Sequence, residues 1–154
     1  MKPPRDSQRA RLYAAERVAF EAEYRVLRLE TLPAVRAFLD GVLADSRFRA
    51  VYGHFSSVRL KDGRGTRHAY AAYDQETRAV LFSLPRWSRT RPIVLHELAH
   101  VASLHRHGRI APHGPEFAAV YIELVERHLG RIAALRLKRL FRVHRVRFGS
   151  TDPG

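Results

Sequence analysis

The stretch that decides the reading is Thr90-Arg91-Pro92-Ile93-Val94-Leu95-His96-Glu97-Leu98-Ala99-His100-Val101-Ala102, followed thirteen residues after His100 by His113. Thr90 with Pro92 reads as a capped helix start, because a Thr hydroxyl satisfies an orphan N–H and Pro suits the first turn. At about 100° per residue His96 and His100 stand within roughly 40° of one another, while Val94, Leu98 and Val101 gather on the opposite side. Two imidazoles and a carboxylate set in an otherwise apolar helix are costly unless they bind something. Histidines at i and i+4 can chelate one Zn²⁺, and Glu97 stands where it can accept a proton from an activated water. The pattern points to a zinc-dependent hydrolase.

A catalytic zinc takes three protein ligands and keeps one position open, so a third ligand must come from elsewhere. His105 is about 160° from the middle of the His96–His100 face, and its own helix turns it away. His107 lies beside Gly108, where the helix is expected to end. Glu123 sits just beside the apolar stripe of Phe117, Val120, Tyr121 and Leu124 on a later helix, where it suits a ligand, a partner of a ligand or an ordinary rim residue. His113 ends the loop from Gly108 to Pro112 and opens the next helix through Gly114 and Pro115, a turn able to hold one imidazole over the preceding helix. Spacing alone leaves His113 as either a ligand or a solvated loop histidine.

The segment His96 to Gly130, HELAHVASLHRHGRIAPHGPEFAAVYIELVERHLG, resembles SprT-like zinc metalloproteases, in which the HExxH helix is followed by a loop and a third-ligand segment of HGxxF type. His113-Gly114-Pro115-Glu116-Phe117 matches that segment. More closely, the whole chain is similar to a family of small metallohydrolases from high-GC bacteria and their mobile elements, whose members begin with a segment like Arg5 to Glu16 here. The resemblance implies a zincin-like fold, with His96, His100 and His113 as zinc ligands and Glu97 as the catalytic base. The longer metzincin pattern fails, since Ser103 replaces its Gly and Arg106 its third His.

Length and composition suit one zincin-like domain over residues 1–154, because a chain of this size with 45% hydrophobic residues can build a full core. Asp6 or Ser7 can cap a first helix reaching about Leu29, and Thr31 with Pro33 opens a second ending near Leu43. Strand-like runs at 55–60, 66–73 and 78–84, separated by Asp62-Gly63 and by Asp74-Gln75-Glu76-Thr77, suggest a small antiparallel meander. The histidine helix, a helix after His113 and a basic C-terminal helix from about Arg131 to His144 follow. Helices flanking a small sheet make the fold class α+β. Residues 1–5 and 150–154 are expected to be disordered. With no apolar run long enough for a bilayer and a polar beginning, a cytoplasmic location is expected. The absence of cysteine excludes disulfides and thiolate ligands.

The charge balance is strongly basic, 28 Lys and Arg against 15 Asp and Glu for a net +13. Arg136, Lys138, Arg139, Arg142, Arg145 and Arg147 accumulate near the C-terminus with no acid between Glu126 and Asp152. That surface suits non-specific contact with nucleic acid, although Arg-rich codon usage and an ordinary solvated helix face produce the same pattern. The expected chemistry is hydrolysis of a peptide bond, with the substrate paired along an exposed strand edge at 78–84. Tyr121, Tyr73, His107 and Arg109 compete as stabilisers of the oxyanion. The rival reading is a basic nucleic-acid-associated protein with a structural zinc, and a non-peptide amide substrate is a third.

Overall fold

The computed structural model describes residues 4–149, so the disorder expected at 1–5 and 150–154 lies outside the described residues except for Pro4 and Arg5, which precede the first helix in irregular chain. Seven α-helices and three strands follow in the order α1 (Arg9–Ala19), α2 (Glu23–Val26), α3 (Leu32–Ala44), α4 (Ser46–Tyr52), β1 (Ser57–Lys61), β2 (Tyr70–Tyr73), β3 (Ala79–Ser83), a short 3₁₀ turn at Arg86–Ser88, α5 (Arg91–His107), α6 (Pro115–Leu129) and α7 (Arg131–Val143). The class is α+β, as expected. Among the described residues no helix is long and apolar enough to cross a membrane.

The first helix does not run to Leu29. It ends at Ala19, a short turn of helix follows, and Leu29 N–H donates to Arg89 O at 2.8 Å while Arg91 N–H donates to Leu27 O at 3.0 Å. These two backbone bonds make an isolated antiparallel bridge between Arg28 and Thr90, at the entry to α5, and tertiary pairing overrides a weak helical preference. Asp6 and Ser7 do not cap α1 either: its N-cap is Gln8, with no side-chain cap bond. Gln8 instead clamps the C-terminal segment, its amide donating to Arg147 O and accepting from Arg147 N, both at 2.9 Å. Thr31 caps α3 by accepting from Ala34 N–H at 3.2 Å, and Thr90 caps α5 by accepting from Ile93 N–H at 3.3 Å.

The sheet departs from the expected antiparallel meander. Its order is β1-β3-β2, with β3 parallel to β1 and antiparallel to β2. Burial explains the order: β3 is shielded on both faces, whereas β1 and β2 alternate between exposed and half-buried residues, so the most apolar strand takes the centre. The 62–69 connection carries the chain past the central position. Gly63 makes this turn at φ 58°, where an added Cβ would lie 2.8 Å from Pro85 N. The return from β2 to β3 is a tight hairpin in which Asp74 Oδ1 accepts from Glu76 and Thr77 N–H, and Arg78 takes φ 63° to make the bulge.

α5 is the central helix, buried from Pro92 to Ser103 on most of its surface and packed against α6, β2, α3 and α4. α7 covers α6 and also holds α1, whose Glu16 reaches His96 on α5. Leu12, Ala15 and Ala19 form the buried stripe of α1, and Glu16 shares that stripe.

Candidate metal centre

α5 sets His96 and His100 on one face, ring centroids 5.0 Å apart. Gly108 ends the helix at φ 71°, and the chain turns back so that Gly114 and Pro115 open α6 with His113 at the corner. The His113 ring lies 5.4 Å from that of His96 and 4.7 Å from that of His100. One ligand atom from each of the three lies within 4.8 Å of the others, close enough for one ion to be shared. Phe117, one turn further along α6, forms the floor by stacking on His100 at 4.3 Å.

Two carboxylates from the N-terminal segment hold two of these imidazoles from behind. His96 Nδ1–H donates to Glu16 Oε1 at 2.6 Å, and His113 Nδ1–H donates to Asp6 Oδ2 at 2.9 Å. Asp6 Oδ1 also accepts the His113 backbone N–H at 3.2 Å, which fixes the corner as well as the ring. With Nδ1 committed, each ring presents Nε2 inward. His96 Nε2 and His113 Nε2 are both buried without a hydrogen-bond partner, a cost that a bound cation removes. The residues present therefore fit a metal ion.

The electrostatics suit that task. Burial lowers His100 well below the ordinary imidazole range, and the neighbouring His96 and His113 add to the effect, so it offers a neutral lone pair. Burial likewise lowers His113, against the opposing pull of Asp6. For His96, burial is more than offset by Glu16, and the pKa is raised. The carboxylate that favours a proton on Nε2 favours a metal cation there for the same reason. Glu97 is pushed up to about 7, by burial first, with His96 partly opposing and Glu16 adding. A carboxyl so poised exchanges protons near neutrality.

Beside Glu97 and His96 opens a cleft of ≈ 460 Å³, to which α1 contributes Tyr13. The Tyr13 ring stacks on His96 at 5.4 Å and tilts against His113 at 5.0 Å. Burial, then Glu97 and Glu16, push its phenol up to about 12, so at neutral pH it is a hydrogen-bond donor.

Residues 50–135 match the model of the SprT-like family. The chain belongs to that family. No curated protein and no solved structure matches it. The SprT-like match runs from within α4 into α7, and so it includes His96, Glu97, His100 and His113 but leaves out Asp6, Tyr13 and Glu16.

His107 and Glu123, the other ligand candidates from the sequence, are not part of the three-histidine group, nor is His105, whereas Tyr121 packs edge-on against His96 at 5.4 Å. His105 Nδ1 is hydrogen-bonded to Tyr73 OH at 2.8 Å, which engages both. Glu123 accepts from Arg47 at 3.3 Å and from Tyr52 OH at 3.1 Å. Tyr121 OH donates to Pro92 O at 3.1 Å, bracing α6 against the start of α5. Arg109 lines a separate depression beside Ala111 and Glu116, and His107 is absent from the residues lining the cleft. The expected substrate edge at 78–84 is corrected too: β3 is central, with both edges paired, and Ala69, just before edge strand β2, lines the cleft.

Proposed function

We propose that this SprT-like protein is a zinc-dependent metallopeptidase. The observation that carries the reading is the convergence of three imidazoles, two with orphaned Nε2 atoms, beside a carboxyl raised to about 7 at the wall of an open cleft. His96, His100 and His113 would hold the ion, which when bound supplies a Lewis acid that polarises a carbonyl and makes water more acidic. Glu16 and Asp6 keep Nε2 of His96 and His113 aimed inward. Glu97 accepts a proton from the attacking water as the C–O bond forms, then delivers it to the amine as the C–N bond breaks. Tyr13, protonated at neutral pH, is placed to donate to the carbonyl oxygen as negative charge develops on it.

An extended peptide has an edge to pair with. Asp74 N–H donates to Ala79 O at 3.0 Å, so by the alternation of an antiparallel ladder Ala72 and Tyr70 face β3, while Ala71 and Tyr73 turn their N–H and C=O outward. A substrate strand laid along that edge runs past Ala69 to Glu97. Against a purely structural zinc stands the ligand set, because a closed site takes a fourth protein ligand and the group holds three. Glu97→Gln keeps the size of the side chain but removes the base. Zinc content and melting temperature should hold while peptide turnover falls by about 10²–10⁴. Equal turnover by the two proteins on a validated peptide overturns Glu97 as the base.

A further inference from the structure

The cleft beside Glu97 has a definite chemistry. Tyr24, Trp87 and Ile93 give it apolar walls, and Arg9, Arg17 and His68 stand around it within the ≈ 460 Å³ space. Its two acids are already employed, Glu16 on His96 and Glu97 as the proposed base. Arg9 lies 5.7 Å over the Tyr13 ring, and Arg17 is exposed at the rim of the cleft. The unspent charge at this opening is positive, in a chain of net charge +13. A peptide extended along the outer edge of β2 projects alternate side chains to one side, and one of them meets the cleft as the chain passes Ala69.

We propose that this cleft is a side-chain subsite that takes a large aromatic or branched aliphatic residue carried on an acidic stretch of polypeptide, the residue packing among Tyr24, Trp87 and Ile93 and the neighbouring carboxylates meeting Arg9 and Arg17. The path of the chain rests on the peptidase reading; the ligand chemistry rests on the walls. Single-stranded nucleic acid, which also offers flat rings and negative charge, is disfavoured by the strand edge leading into the cleft and by the position of Glu97 at its wall.

Trp87 supplies the probe, being the chain's single tryptophan, half exposed, and part of the wall. The zinc-loaded full chain is titrated, following tryptophan emission, with blocked octapeptides carrying Phe between Asp and Glu residues, with the same peptides bearing Ala for Phe or Lys for the acids, and with a thymidine octanucleotide. Mass spectrometry of the same samples reads cleavage. The acidic Phe peptide should shift the emission and bind at least roughly tenfold more tightly than either altered peptide. Arg17→Gln, at an exposed position, should reduce the preference for acids and keep that for Phe over Ala. Equal affinity for the Phe and Ala peptides overturns the subsite, and so does an emission change given by the oligonucleotide alone. Binding in the expected order with no peptide cut leaves the subsite standing and removes the peptidase reading; cutting without side-chain or charge preference does the reverse.

Discussion

The carboxylates that set His96 and His113 are as specific a feature of this chain as the three histidines themselves. Glu16→Gln and Asp6→Asn keep hydrogen-bonding side chains but remove the negative charge behind His96 and His113, and each should weaken zinc binding by about 10–100-fold. Competition against a chelator of known affinity measures it, and His113→Ala, which deletes a ligand, should cost more. Unchanged affinity in both carboxylate variants would show that the imidazoles need no anchoring. His96, Glu97 and His100 were legible because helical geometry follows from spacing, and His113 became so only through its likeness to an HGxxF segment. Glu16 was missed although a signal existed: it falls in register with Leu12, Ala15 and Ala19, where a carboxylate must find a partner. Asp6 gave no such signal, since a helix cap was a sufficient reason for it. Tyr13 depends on how α1 crosses α5, which no local pattern encodes.

At the scale of elements, α1 is part of the candidate metal site, though it lies outside the family-matched segment. Its Glu16 and the preceding Asp6 meet ligands on α5 and at the start of α6, so zinc should fasten all three together. Amide exchange across Leu12–Ala19 should slow on zinc addition about as much as exchange at the start of α6, and hydrogen-exchange mass spectrometry reads both. Protection confined to α5 and α6 would sever α1 from the site. The sheet shows why order was not legible: the three runs were found near their places, but strand pairing depends on which strand is buried on both faces, and β1-β3-β2 follows from β3 being the one. A separate joint links the corner between α3 and α4 to α6, where Arg127 donates to both oxygens of Asp45 at 2.8 and 2.9 Å. Those hydrogen bonds hold Asp45 below its ordinary 3.8, so the joint stabilises the fold above that range and is lost as pH falls through the lowered value. Arg127→Gln should lower the urea midpoint at neutral pH, and the gap from wild type should close in acid; a gap independent of pH would assign the loss to packing instead.

Across the whole molecule the basic residues near the C-terminus do unlike things. Arg136 donates to Ala19 O at 3.0 Å and pairs with Glu23, tying α7 to the end of α1 and to α2. Arg139, Arg142 and Arg145 are exposed, and Arg142 lies over the Phe148 ring at 5.4 Å. Lys138 is half-buried, and Arg147, though exposed, has its backbone held by Gln8. The proposed contact with nucleic acid therefore rests on the exposed Arg139, Arg142, Arg145 and Arg147 and discards Arg136. Each phosphate neutralised releases condensed counterions, so affinity for random-sequence DNA should fall steeply with salt, with little dependence on base sequence. Replacing Arg139, Arg142 and Arg145 by Gln should weaken binding at low salt and flatten the slope of log affinity against log salt by about one unit per arginine engaged, leaving zinc content alone. Arg136→Gln should do the opposite, lowering the melting temperature while keeping the slope. Both variants are read by fluorescence anisotropy across a salt series and by thermal melting. No binding at low ionic strength, where such contacts are strongest, would return these arginines to the role of a solvated helix face.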